Sequence, residues 1–120
     1  MPVRAVRGAT QVAENDRDEV IAGAAELVRA VLARNEIDPA DLISVIFTAT
    51  PDLTAEFPAY AARDMGITDV PLLCATEIDV PGAMPRVIRL LAHVESDRPR
   101  GEIRHVYLHG AAALRTDLPR

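Results

Sequence analysis

One long amphipathic segment constrains the fold of this chain more than any other feature. Asp16 suits the N-cap position of a helix, and Glu19 follows three residues later, which resembles a capping box. Apolar residues then recur at steps of three and four: Val20, Ile21, Ala24, Leu27, Val28, Val31 and Leu32. The spacing predicts a helix of about 18 residues that ends near Asn35 and presents one apolar face.

Five other apolar segments predict β-strands. They span residues 2–8, 42–49, 70–76, 86–96 and 103–109. Segment 86–96 also fits a helix, but as a strand it separates Ile88, Leu90, Ala92 and Val94 from the polar side chains of the other face. Residues 38–41 predict one helical turn, and residues 57–65 predict a short helix that Gly66 terminates.

These elements predict an α+β fold in which one five-stranded sheet packs on one long helix. One helix covers only one face of such a sheet, so the other face must meet something else. Self-association is the simplest cover for a chain of 120 residues, which predicts an oligomer. We expect residues 1–120 to form one domain, with a mobile tail from about residue 115.

The composition argues against several classes of protein. The net charge is −5, whereas nucleic-acid binders usually carry a basic excess. No apolar run approaches the roughly 20 residues that cross a bilayer, and the first residues contain no signal-peptide h-region. One cysteine forms no internal disulfide or zinc cluster. We therefore expect a cytoplasmic protein with no metal, no other cofactor and no nucleic-acid or membrane partner.

The polar residues contain no familiar catalytic motif. The three histidines lack metal-ligand spacing, and there is no dinucleotide fingerprint or P-loop. All 13 basic residues are arginine, and Arg7, Arg89 and Arg115 lie in or beside apolar segments. A guanidinium there is costly unless an anion meets it. A structural ion pair or an exposed strand edge is the alternative explanation for each of them.

Taken together, six segments resemble one known family. They are Val6-Arg7-Gly8-Ala9-Thr10, residues 48–53, Phe57-Pro58-Ala59 with Arg63, residues 74–82, residues 103–108, and Leu114-Arg115-x-Asp117-Leu118. In this order they resemble the monofunctional chorismate mutases of the trimeric α/β type, the AroH class. The resemblance spans nearly the whole chain.

That resemblance implies a fold and a reaction. The fold is a five-stranded mixed sheet on one long helix, in a homotrimer whose sheets meet in a barrel-like core. The reaction is the Claisen rearrangement of chorismate to prephenate, a step of phenylalanine and tyrosine biosynthesis that needs no cofactor. The active sites lie between adjacent subunits.

The resemblance also implies roles for individual residues. One subunit would contribute Phe57, Ala59, Tyr60 and Arg63, and its neighbour would contribute Arg7, Cys74, Glu77, Arg89 and Tyr107. Arg89 would donate to the ether oxygen, Arg7 and Tyr107 would hold a carboxylate, and Glu77, with Cys74 beside it, would accept from the substrate hydroxyl. Phe57, Leu73 and Leu114 would form apolar walls, while Arg63 and Arg115 would guide the anion or close the mouth of the site. Tyr60 departs from the family, where a lysine is frequent.

Two other functions fit the same architecture. An enamine or imine deaminase would also use an interfacial arginine for a carboxylate, but its glycine-rich motif is absent from this sequence. A trimeric small-molecule-binding module would keep Arg7 and Tyr107, yet it would have no use for Arg89 and Glu77 together.

Overall fold

The computed structural model describes residues 1–115. Its strands are β1 (Val3–Gln11), β2 (Leu42–Ala49), β3 (Leu72–Thr76), β4 (Val87–Glu95) and β5 (Val106–Leu108). Its α-helices are α1 (Arg17–Arg34) and α2 (Ala59–Asp64), and short 3-10 turns span Pro39–Asp41, Arg100–Glu102 and His109–Leu114. The expected tail beyond Arg115, including Asp117 and Leu118, lies outside the described residues.

The five strands form one mixed sheet in the order β3-β2-β4-β1-β5. β4 pairs antiparallel with both β1 and β2, whereas the outer pairs β1–β5 and β2–β3 are parallel. The predicted α+β class and the mixed five-stranded sheet are therefore confirmed.

The long helix forms where its pattern predicts. The Asp16 carboxylate accepts from the N–H groups of Asp18 and Glu19, at 3.1 and 3.3 Å, so the N-cap is confirmed. The N–H of Asp16 itself donates to the carbonyl of Glu14. The buried face of α1 consists of Val20, Ala24, Ala25, Leu27, Val28 and Val31. Segment 86–96 is a strand, and its even-numbered residues from Ile88 to Val94 are all buried against this helix face.

Gly8 does not end the first strand, contrary to the prediction of a strand over residues 2–8. β1 continues through Gly8 to Gln11. A Cβ atom at Gly8 would lie 2.9 Å from Cδ1 of Leu27 and 3.2 Å from Cγ2 of Val31. The glycine therefore allows α1 to approach the strand closely, which is a packing role and not a turn.

Strand β5 is shorter than the predicted segment 103–109. The buried Asn35 side chain binds both backbone groups of Arg104: Oδ1 accepts from the N–H at 2.7 Å, and Nδ2 donates to the carbonyl at 2.9 Å. Nδ2 also donates to the Val31 carbonyl at 2.9 Å. At the other end, His109 adopts a left-handed φ of 52° and begins a 3-10 turn. The Asn35 side chain thus replaces sheet pairing before β5, and the 3-10 turn replaces it after β5.

The two helices leave one face of the sheet open. The α2 alanines and α1 belong to the same buried cluster as Val6, Phe47 and Val94 of the sheet, so both helices cover one face. On the other face Val3 and Leu73 are 56% and 60% exposed. No helix within residues 1–115 is long and apolar enough to cross a membrane.

We expect Asn35→Ala to lower the free energy of unfolding by about 1–3 kcal/mol, because it removes one buried hydrogen bond to the Val31 carbonyl and two partly buried ones to the backbone of Arg104. Urea unfolding at one fixed chain concentration measures the change. Asn15→Ala is the control, because exposed Asn15 binds only the loop groups of Thr54 and Ala55. Equal losses in the two variants would contradict the role assigned to Asn35.

Candidate active site

A single row of residues crosses all five strands on the open face of the sheet. Strand register aligns Ala75, Thr48, Arg89, Ala9 and Tyr107 side by side. Arg7 lies two residues before Ala9 on β1, and Glu77 lies two residues beyond Ala75. Because side chains alternate along a strand, Arg7 shares the open face with the row. Four predicted site residues, Arg7, Glu77, Arg89 and Tyr107, are therefore brought together in one chain.

Glu77 is the centre of the charged part of this row. Its N–H donates to the Ala49 carbonyl at 2.9 Å, which holds the chain against β2 beyond the end of β3. Its Oε2 accepts from the Thr48 hydroxyl at 2.6 Å and from Nε of Arg89 at 3.0 Å. Sequence reasoning missed Thr48, because its role depends on the register that places it beside Arg89.

The ion pair of Arg89 and Glu77 orients the guanidinium. The side chain of Arg89 is 44% exposed and that of Glu77 is 16% exposed. An ion pair this accessible contributes only about 0–1 kcal/mol to stability. Within residues 1–115, the bond from Nε is the only hydrogen bond of the Arg89 side chain, so its two terminal nitrogens remain available to an anion.

The opposite end of the row provides a second set of donors. Tyr107 pairs with Ala9 on one side of β1, and Arg89 pairs with Ala9 on the other, so a methyl group separates two long polar side chains. Leu114 packs with Tyr107 against the buried cluster that contains Ala9. The turn over His109–Leu114 therefore brings a predicted apolar wall to the edge of the polar row, and Arg115 follows it directly.

A second group of predicted site residues lies on or beside α2, on the helix-covered side. Phe57 is 68% exposed, Tyr60 is 37% exposed, and Arg63 is also exposed. Ala59 is only 2% exposed, so its side chain belongs to the core and only its backbone can face a ligand. One chain does not bring this group together with Arg89.

Arg17 is a further cation on the rim of α2 that sequence reasoning missed. Its guanidinium carbon lies 5.0 Å from the centre of the Tyr60 ring, and its Nε donates to Oε2 of Glu56 at 3.0 Å. The other oxygen of Glu56 accepts from the Phe57 N–H at 2.9 Å. The pKa of the Glu56 carboxyl is lowered, first by that N–H and then by Arg17. No sequence pattern marks Arg17, because its neighbours on this rim are 39 or more residues away.

Cys74 does not share a face with Glu77 in one chain, contrary to its predicted place beside that residue. Cys74 pairs with Phe47, and both pack on the helix-covered side. Leu73 instead pairs with Ile46 and is exposed on the open side. Side chains alternate along β3, so Cys74 lies on the side of the α2 group and Leu73 lies on the side of the row.

A cavity of about 400 Å³ lies beside Arg89, under the loop of residues 77–86. The C-terminal end of the loop is anchored, because the N–H of Arg86 donates to Asp52 at 2.9 Å and its Nε donates to the Val12 carbonyl at 3.0 Å. Across residues 1–115 there is no group of three histidine, cysteine or acidic residues able to hold a metal ion. The charged groups of the row are suited to binding an anion through fixed donors.

Comparisons with known proteins agree with this arrangement. The family model described as chorismate mutase type I matches residues 3–118. The chain is 48% identical over 117 residues to "Chorismate mutase AroH" of Thermus thermophilus, covering 97% of this chain and 96% of the relative. It is 39% identical over 119 residues to the protein of the same name from Bacillus subtilis (strain 168), covering 98% and 94%.

The fold agrees equally well with a solved structure. The structure titled "Chorismate mutase from Clostridium thermocellum Cth-682" superposes with a TM-score of 0.90 at 47% sequence identity, covering 91% of this chain and 97% of that one. Because the family model matches nearly the whole sequence and the relatives align over almost their full length, this chain belongs to the chorismate mutase type I family.

Proposed function

We propose that this protein is a chorismate mutase, an isomerase that rearranges chorismate to prephenate in the biosynthesis of phenylalanine and tyrosine. The observation that carries the proposal is Arg89, which Glu77 holds through Nε while Thr48 in turn binds Glu77, so that the terminal nitrogens of Arg89 stay available in one row with Tyr107. The proposal includes a cytoplasmic location, one catalytic domain over residues 1–120, and no cofactor.

The reaction explains why the site is built from fixed donors. One C–O ether bond breaks and one C–C bond forms within the same molecule, so no proton is transferred and no covalent intermediate forms with the enzyme. The enzyme must hold a flexible dianion in its compact reactive conformer. It must also stabilise the negative charge that accumulates on the ether oxygen. An array of guanidinium groups meets both needs.

Each residue of the row then has a distinct role. The terminal nitrogens of Arg89 donate to the ether oxygen and to a carboxylate, while its Nε stays bound to Glu77. Arg7 and Tyr107 hold a carboxylate at the other end of the row. Glu77 accepts from the substrate hydroxyl with the oxygen that Thr48 and Arg89 do not use. The local positive charge is needed because the whole chain carries a net charge of −5.

We further propose that the protein is a homotrimer with a barrel-like core and an active site between each pair of subunits. Two observations support this assembly: the open sheet face, and the positions of the two groups of site residues on opposite sides of one chain. Phe57, Tyr60 and Arg63 of one subunit would face the row of the next. Within one chain Cys74 lies on the same side of the sheet as the α2 group, and its assignment to the neighbouring subunit stays a prediction.

We expect Arg89→Ala to lower kcat by at least about 10³, because removal of one oxyanion donor costs roughly 10²–10³ and here a full charge is lost as well. Arg89→Lys should recover little, since an ammonium lacks the fork that reaches two oxygens. The loss of the diene absorbance of chorismate measures the rate. Arg29→Ala, on the exposed side of α1, is the control and should keep kcat. If Arg89→Ala kept a near-normal kcat but had a lowered Tm, Arg89 would serve as a structural ion-pair residue and not in catalysis.

We expect Arg17→Ala to raise KM by about twofold to fivefold, with little change in kcat, because an exposed guanidinium only weakly attracts an anion that is charged in both the ground state and the transition state. The effect should shrink at high ionic strength. Arg34→Ala, at the other end of α1, is the matched control. An unchanged KM at low salt would remove Arg17 from the substrate rim.

We expect two defective variants to restore activity to each other when they are co-expressed. Arg89→Ala damages the row and Arg63→Glu damages the α2 rim, so a mixed trimer contains interfaces at which both halves are intact. With equal expression and random assembly, about one quarter of the sites recover. Rates per chain and the mass by light scattering test this expectation. A monomer, or mixed assemblies as inactive as the separate variants, would contradict the shared site.

A further inference from the structure

The imidazole of His105 binds the backbone of Arg7. Nδ1 of His105 accepts from the Arg7 N–H, with 3.0 Å between the nitrogens. A backbone N–H only donates, so Nδ1 must carry a lone pair. The bond therefore requires a neutral imidazole with its proton on Nε2.

This bond lies directly before the first residue pair of the β1–β5 ladder. The parallel ladder between β1 and β5 begins with Gly8 opposite Val106. The His105 ring takes the step before it, where the Arg104 backbone is already bound to Asn35. The bond from Arg7 to His105 is thus the first link between β1 and the chain that leads into β5. Arg7 is one of the two candidate carboxylate donors. The other is Tyr107, two residues after His105.

We propose that neutral His105 is a positioning residue, which fixes the spacing of Arg7 and Tyr107 across the two strands, and that its protonation releases this end of β5. A protonated ring presents an N–H to the Arg7 N–H, so two donors face each other and the hydrogen bond is lost. The proposal rests on the proposed function, because the two donors matter through the carboxylate that they would hold.

The surroundings of His105 keep the ring neutral. Arg4 of β1, His93 of β4 and Arg100 line a cavity of about 410 Å³ with it, and no carboxylate lines that cavity within the described chain. Burial lowers the pKa of His105 first, and the positive charges of Arg7 and Arg115 lower it further. The charges of Arg7 and Arg115 therefore oppose protonation of the ring, and the Arg4 and Arg100 side chains that line the cavity carry charge of the same sign.

The direction of the pH dependence follows from that shift. A histidine whose pKa is lower in the folded chain than its ordinary value of about 6.5 keeps its full contribution above that value. The contribution is lost as the pH falls through the lower, folded pKa. The carboxylates of the substrate titrate near pH 4 or below, so they do not produce a limb between about pH 5 and 6.5.

The test is the pH dependence of kcat/KM from about pH 5 to 8.5, with each enzyme normalised to its own value at pH 8. We expect the native enzyme to lose about tenfold per pH unit below the folded pKa, mainly through KM. His105→Asn keeps an acceptor oxygen but takes up no proton, so its loss over the range should stay below about twofold. His109→Asn, at an exposed histidine paired with Glu26, is the control and should keep the acid limb.

Two results would overturn the role of His105: an acid limb in His105→Asn equal to that of the native enzyme, or a native enzyme without the limb. Ring-nitrogen NMR supplies a second readout, and we expect Nε2–H for His105 at pH 8 and movement of the Arg7 amide signal with its titration. A proton on Nδ1, or an Arg7 amide that ignores the titration, also overturns the role. Absence of chorismate turnover at pH 8 would instead overturn the proposed function.

Discussion

The register between β1 and β4 fixes the positions of both arginines in the row, Arg7 and Arg89. Nine residue pairs, from Val3–Glu95 to Gln11–Val87, join β1 to the central strand β4. A slip of one residue would turn the apolar face of either strand to the open side and drive Arg7 or Arg89 into the core. Burial of Val6 and Ile88, both 0% exposed, beneath the helix layer therefore also holds the guanidinium groups in place.

Sequence patterns correctly predicted the helices and strands whose formation depends on residues close together in the chain. The helix at Arg17–Arg34, the strand at Leu42–Ala49 and the strand reading of segment 86–96 were correct, because hydrophobic periodicity and caps act within a few residues. The end of β1 and the length of β5 were wrong. Gly8 depends on contact with α1, and β5 is limited by Asn35, about 70 residues before it, so neither boundary is encoded nearby.

The candidate site was predictable in part for the same reason. The family resemblance assigned Arg89 and Glu77 to the site, and the structure pairs them, whereas the roles of the site residues in the reaction stay predictions. The faces of β3 could have been read from the sequence: Cys74 and Glu77 are three positions apart, and an odd separation in an extended chain points to opposite sides. Thr48 and Arg17 could not have been found in this way, because their partners come from other strands and loops.

A site made of fixed charges connects catalysis to assembly. In the single chain, 44% of the Arg89 side chain faces water, where the attraction between a guanidinium and an oxyanion is weak. In the proposed trimer, a neighbouring subunit would cover this face and exclude water, so the same charges would act in a medium of lower dielectric constant. The Glu77 bond to Nε would then hold Arg89 in position before the substrate arrives. Formation of the interface would thus supply both the missing half of the site and the low dielectric constant that makes a fixed guanidinium an effective catalyst.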